Sequence, residues 1–132
     1  MKTAVILSAR WDKDTQVPYP LRPFHEDVCL IDRTIEALEA LGYSNILLVV
    51  GWQAQLYQKY ASASVRLVLN PDYKFTSSMG SLAVAAPYIH EDFLLVEGDT
   101  FYEDSGTLFS KSFFLKSWEK SLLAPWNTLR LI

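Results

Sequence analysis

Glycine is scarce in the first third of this chain. The five glycines among its 132 residues begin only at Gly42. The segment "SARWDKDTQVPYPLRPF" (8–24), which leaves the first apolar run, therefore has none. Loops that cradle phosphate through backbone amides use glycine for close approach, and that device is missing here. Cysteine is limited to Cys29, which excludes a disulfide within the chain and a cysteine-based zinc site. No apolar stretch reaches the ~18 residues of a membrane helix. The run "TAVIL" (3–7) is too short for a signal-peptide core. The expectation is a soluble cytoplasmic protein without membrane contact. Basic runs are also absent and the net charge is −3, so nucleic acid is not an expected partner. A nucleotide held through a divalent cation remains compatible with that charge.

Half of the residues are hydrophobic and a fifth are charged, a globular composition for one domain's length. "TAVILS" (3–8), "NILLVV" (45–50), "VRLVL" (65–69) and "FLLVE" (93–97) read as strands. Between them, "IDRTIEALEALGY" carries Ile31, Ile35, Leu38 and Leu41 at helical spacing, with Asp32 as cap and Gly42 as stop. "QAQLYQKYA" (53–61) reads as a short helix. "MGSLAVAA" reads as a third, capped by Ser77 or Ser78 and stopping near Pro87. Residues 9–29 are irregular, and prolines 18, 20 and 23 hold "VPYPLRPF" extended. Strands that are apolar on both faces and alternate with helices predict an α/β fold with a parallel sheet covered on both sides. The tail, 105–132, differs in character. Phe114, Leu115, Trp118 and Leu122 predict a helix, and its apolar end predicts packing on the domain or on another chain, as in a homodimer.

Ligands of open parallel sheets bind beyond the carboxyl ends of the strands. "EGDT" delivers Glu97 and Asp99 to that rim, where two carboxylates suit Mg²⁺ and equally form an ordinary turn. Arg10 directly follows the first strand. Its guanidinium could hold phosphate bidentately or pair with Asp12 or Asp14. Trp11, Tyr19, Trp52, Tyr73 and Phe75 fall at or near strand ends, fit to stack on a base, to enclose a cationic head group, or to pack a core edge. His25 and His90 lie in polar loops with no serine or cysteine motif nearby, so a hydrolase triad has no support. An arginine so close to the first strand, with the acids late, also argues against a response regulator.

The series "MKTAVILSAR", "VPYPLRPF", "CLIDRTIEALEALGYSNILLVVGW", "VRLVLNPDY", "SSMGSLAVA" and "FLLVEGDTFYE" resembles the nucleoside-triphosphate transferases over residues 1–103. It is most similar to CTP:phosphocholine cytidylyltransferases and sugar-phosphate nucleotidyltransferases. The resemblance implies a Rossmann-like three-layer α/β/α sandwich over 1–104. It also implies transfer of a nucleoside monophosphate, CMP favoured, from a triphosphate to phosphocholine or a sugar phosphate, with Mg²⁺ and release of pyrophosphate. Asp99 matches the metal-binding aspartate. Ser8, Ala9, Asn70 and Ser81 match nucleotide-binding positions, and Tyr102 or Trp52 suits a trimethylammonium group. The sequence departs from the family in three places. Arg10 stands where the first glycine belongs. Tyr19 replaces a phosphate-holding lysine, leaving Arg10 with Arg22 or Lys13 to carry the charge. The tail does not resemble the family's second half, which implies an incomplete fold, truncated or degenerate. The alternative is a non-catalytic nucleotide-binding or dimerisation module of the same fold.

Overall fold

The computed structural model describes residues 2–24 and 26–98, and the backbone of 113–116 and 130–131. Four parallel strands form its centre: β1 (Lys2–Ser8), β2 (Tyr43–Val50), β3 (Val65–Leu69) and β4 (Phe93–Glu97). Two further strands, β5 (Phe113–Lys116) and β6 (Arg130–Leu131), pair antiparallel beyond β4. The order across the sheet is β3-β2-β1-β4-β5-β6. The register sets Ser8 beside Val50 and Leu7 beside Glu97, so β1, β2 and β4 end at one rim.

Side chains alternate across this sheet and build a core on each face. On one side Ala4, Ile6, Ile46, Leu48 and Val96 meet Ile31, Ile35 and Leu38 of α1 (Leu30–Ala40). On the other, Val5, Leu7, Leu47, Val49 and Val68 meet Leu82 and Ala85 of α2 (Ser78–Ala85). The sheet is thus covered on both faces and predominantly parallel, the α/β Rossmann-like architecture that the alternation of strands and helices predicts. No helix among the described residues is long and apolar enough to cross a membrane.

Three details differ from the sequence reading. Helix α1 begins at Leu30, and Asp32 works from its third position: its carboxylate accepts the Cys29 N–H at 2.9 Å, in a reciprocal cap with Cys29 as the first member. Residues Ala54–Tyr60 wind as a 3₁₀ helix entered through Gln53 at φ 56°, longer than 3₁₀ turns usually run. Where helical spacing in the tail predicts a helix, 113–116 is strand. The free side of β4 offers a row of backbone donors and acceptors, and pairing there outweighs a weak side-chain pattern. Gly42 ends α1 at φ 89°, where a side chain would be strained.

Candidate functional site at the carboxyl rim of the sheet

A cleft of about 880 Å³ opens at the rim where β1 and β4 end. Its floor is Ser8 and Ala9, both buried as β1 leaves the sheet. The Ser8 hydroxyl has no hydrogen-bond partner among the described residues. It lies against Gly98, whose N–H donates to the Leu7 carbonyl at 2.9 Å. A Cβ on Gly98 would collide with the Ser8 hydroxyl and come within 2.7 Å of the Leu7 oxygen. This close approach at the ends of the paired strands β1 and β4 therefore requires glycine.

One wall is the glycine-free loop, which contributes Arg10, Trp11, Asp12 and Tyr19. The opposite wall is the loop after β3, with Tyr73, Lys74 and Thr76, followed by Ser77, Ser78 and Ser81 where α2 begins. Lys74 reaches across, its Nζ 5.0 Å from the centre of the Trp11 ring. The Ser77 hydroxyl caps α2 by accepting the Met79 N–H at 3.3 Å. Glu97 closes the lining at the end of β4.

Asn70 stands behind the wall. Its Nδ2 donates to Thr76 Oγ1 at 2.9 Å and to Ser81 Oγ at 3.1 Å, and its Oδ1 accepts the Asp72 N–H at 3.0 Å. Buried to 2 % exposure, it braces the loop and aims Ser81. Gly51 supports the same loop, since a Cβ there would lie 2.6 Å from Tyr73 Cβ.

Of the residues singled out from sequence, Ser8, Ala9, Arg10 and Ser81 line the cleft, and Asn70 touches it through Ser81. Arg22 does not line it. Its Nε donates to the Val17 carbonyl at 3.1 Å, its guanidinium pairs with Asp12 at 3.5 Å, and it lies 5.5 Å over the Tyr19 ring. Arg22 thus ties its own loop together, outside the residues that line the cleft. Lys13 is also outside the lining. Trp52, Tyr19 and Tyr73 line the cleft, whereas Phe75 is 88 % exposed outside it. His90 is exposed. Asp99, Tyr102 and His25 lie outside the described residues. The sequence reading did not single out Lys74; its loop leaves a strand's carboxyl end, but nothing in the sequence shows that it reaches Trp11.

Among the described residues no group of three histidine, cysteine or acidic side chains could hold a metal. The donors at the rim are nevertheless oxygens, the Glu97 carboxylate and the unpartnered Ser8 hydroxyl. They suit a hard divalent cation in kind, and Asp99 follows directly in the chain.

Residues 8–108 match the family described as the MobA-like NTP transferase domain. The chain belongs to that family. Among curated relatives of this MobA-like chain is the CMP-5'-(3-aminopropyl)phosphonate synthase of Streptomyces rubellomurinus, 30% identical over an alignment of 91 residues that covers 65% of this chain and 14% of that protein. Among solved structures, the CTP:phosphocholine cytidylyltransferase of Streptococcus pneumoniae superposes with a TM-score of 0.67 at 22% identity, over 80% of this chain and 48% of that one. The Rv0371c protein of Mycobacterium tuberculosis, solved in complex with manganese, gives 0.58 at 22% identity, over 80% of this chain and 54% of that one. The MobA-like chain thus spans about half the length of these solved neighbours, and a smaller share of the curated relative.

Proposed function

We propose that the rim cleft binds a nucleoside triphosphate, CTP in preference, with Mg²⁺, and transfers its nucleoside monophosphate to a small phosphorylated acceptor such as phosphocholine or a sugar phosphate. The observation that carries this reading is the cleft itself. It joins a buried small-residue floor at the end of β1 to an arginine, aromatic walls and a serine-lined wall at the start of α2. A cytoplasmic setting suits such a substrate.

In the reaction, an oxygen of the acceptor phosphate forms a bond to the α-phosphorus. The bond from that phosphorus to the bridging oxygen breaks, and pyrophosphate leaves with the electron pair. The chain's part is positioning and charge compensation. Ser8 and Ala9 let the nucleotide approach the backbone. Arg10 faces its phosphates. Ser81, held by Asn70, hydrogen-bonds the nucleoside. Trp52 and Tyr73 offer faces to the base or to a trimethylammonium group. Glu97 and Asp99 would hold the divalent ion, which when bound draws charge off the phosphates.

Calorimetric titration with CTP, GTP and ATP, with and without Mg²⁺, tests the reading. CTP should bind more tightly with the metal, and Asp99→Ala should lower that affinity by about tenfold or more. A chain that binds no nucleotide under either condition, yet forms a stable dimer, would instead be an assembly module.

A further inference from the structure

The geometry points to Lys74 as the polyphosphate-binding cation of this cleft, within the nucleoside-triphosphate site proposed above. Three observations converge on it. The loop after β1 lacks the glycines that would present backbone amides to phosphate, so side-chain charge must do that work. Among the described residues, the cations lining the cleft are Arg10 and Lys74. Arg22 lies outside the lining, its Nε on the Val17 carbonyl and its guanidinium 3.5 Å from Asp12 with Nη2 left without a hydrogen bond, and Lys2, Lys59 and Arg66 stack on Tyr43, Tyr60 and Tyr88, also outside it.

Lys74 also has a preset position. Its loop is fixed from behind by the Asn70 bonds to Thr76 and Ser81 and by the seat of Tyr73 on Gly51. The stem stays exposed and long enough to swing. At rest the ammonium lies over the face of Trp11, on the other wall. An indole face attracts a cation without neutralising its charge, and weakly at an exposed site. A phosphate oxygen gives a charge-assisted hydrogen bond and displaces that contact. Trp11 is therefore the parking place of Lys74, and the pair spans the mouth that a triphosphate enters. The charge that a glycine loop would supply from beneath the phosphates comes here from the facing wall.

Titrations of the full chain with CTP, CMP and inorganic pyrophosphate, each with Mg²⁺, test this. Lys74→Met should weaken CTP and pyrophosphate by about tenfold or more, and CMP by less than about threefold, because CMP lacks the outer phosphates. Lys74→Arg should stay within about threefold of the parent for all three, since it keeps the charge. Thermal melts should show both variants folded, as the side chain is exposed. Unchanged CTP and pyrophosphate binding in Lys74→Met, or an equal loss for CMP, would overturn the role. Lys74-dependent pyrophosphate binding without binding of any nucleoside triphosphate would uphold Lys74 and contradict the transferase reading. CTP binding indifferent to Lys74 would do the reverse, and binding of neither ligand would contradict both.

Discussion

The two loops that wall the cleft are built on opposite plans. The loop after β3 is braced from inside by a buried amide, Asn70, which satisfies Thr76, Ser81 and the Asp72 backbone at once. The loop after β1 is tied at the surface by Arg22, which holds Asp12 and the Val17 carbonyl while both charged groups remain partly exposed. Buried hydrogen bonds are costly to leave half-made, whereas exposed ion pairs contribute little. One wall is therefore stiff and the other compliant. Under the function proposed above, the stiff wall carries Lys74 and Ser81, and the compliant one adjusts Arg10 and Trp11 to what enters.

Asn70→Ala should break the stiff wall. It strands the buried Ser81 hydroxyl and takes a partner from the Asp72 N–H, while Thr76 Oγ1 keeps its bond to the Asp72 carbonyl, so a loss of about 1–3 kcal/mol in unfolding free energy is expected from urea denaturation. A loss under about 0.5 kcal/mol would mean that water replaces the amide and the wall is not braced. Arg22→Ala should do much less, under about 1 kcal/mol, and should change CTP affinity by less than about threefold. A large fall in affinity with little change in stability would return Arg22 to the phosphates.

The smallest expected effect lies outside both walls, on the α1 face, and shows whether bracing is special to the cleft. Asp32 accepts hydrogen bonds from the Cys29 N–H, the Cys29 thiol and the Tyr60 hydroxyl, the last at 2.8 Å. Burial works against its charge, but these bonds and the nearby Lys59 charge hold its carboxyl below the usual range. A lowered folded pKa gives stability that is complete above the unfolded value and lost as pH falls through the folded one. Asp32→Asn should therefore flatten the decline of melting temperature below about pH 4. An unchanged acid limb would show that the cluster is only packing. Burial, and then its hydrogen bonds to the Cys29 thiol and the Asp32 carboxylate, raise the Tyr60 hydroxyl above the usual phenol range, so its share of stability is lost only as pH rises past that range.

Much of this was legible in the sequence. The four central strands and both long helices declare themselves through apolar runs and spacing, because a sheet buried on two faces leaves no room for polar residues. The rim followed from strand direction, and with it Ser8, Ala9 and Arg10, whereas Ser81 came only from the family resemblance. The contacts of Arg22 were not legible, because charge and proximity in sequence do not show which partner a side chain takes. Asp12 and Val17, ten and five residues away, claimed it. Lys74 was overlooked because nothing in "NPDYKFTSS" says that its loop folds back toward Trp11. The resemblance matched Asn70 to a nucleotide-binding position, and its hydrogen bonds to Thr76 and Ser81 were not legible in the sequence. The strand at 113–116 was hidden because four residues cannot display a period that separates strand from helix.

The central claim is that this rim cleft is where a nucleoside triphosphate sits. Backbone amide chemical shifts followed by NMR during titration with CTP and Mg²⁺ test it most directly. Saturable shifts should concentrate at Ser8, Ala9, Arg10, Tyr73, Lys74 and Ser81, with β3 and the outer face of α1 unmoved. Shifts centred on the α1 face, or none at all, would contradict it.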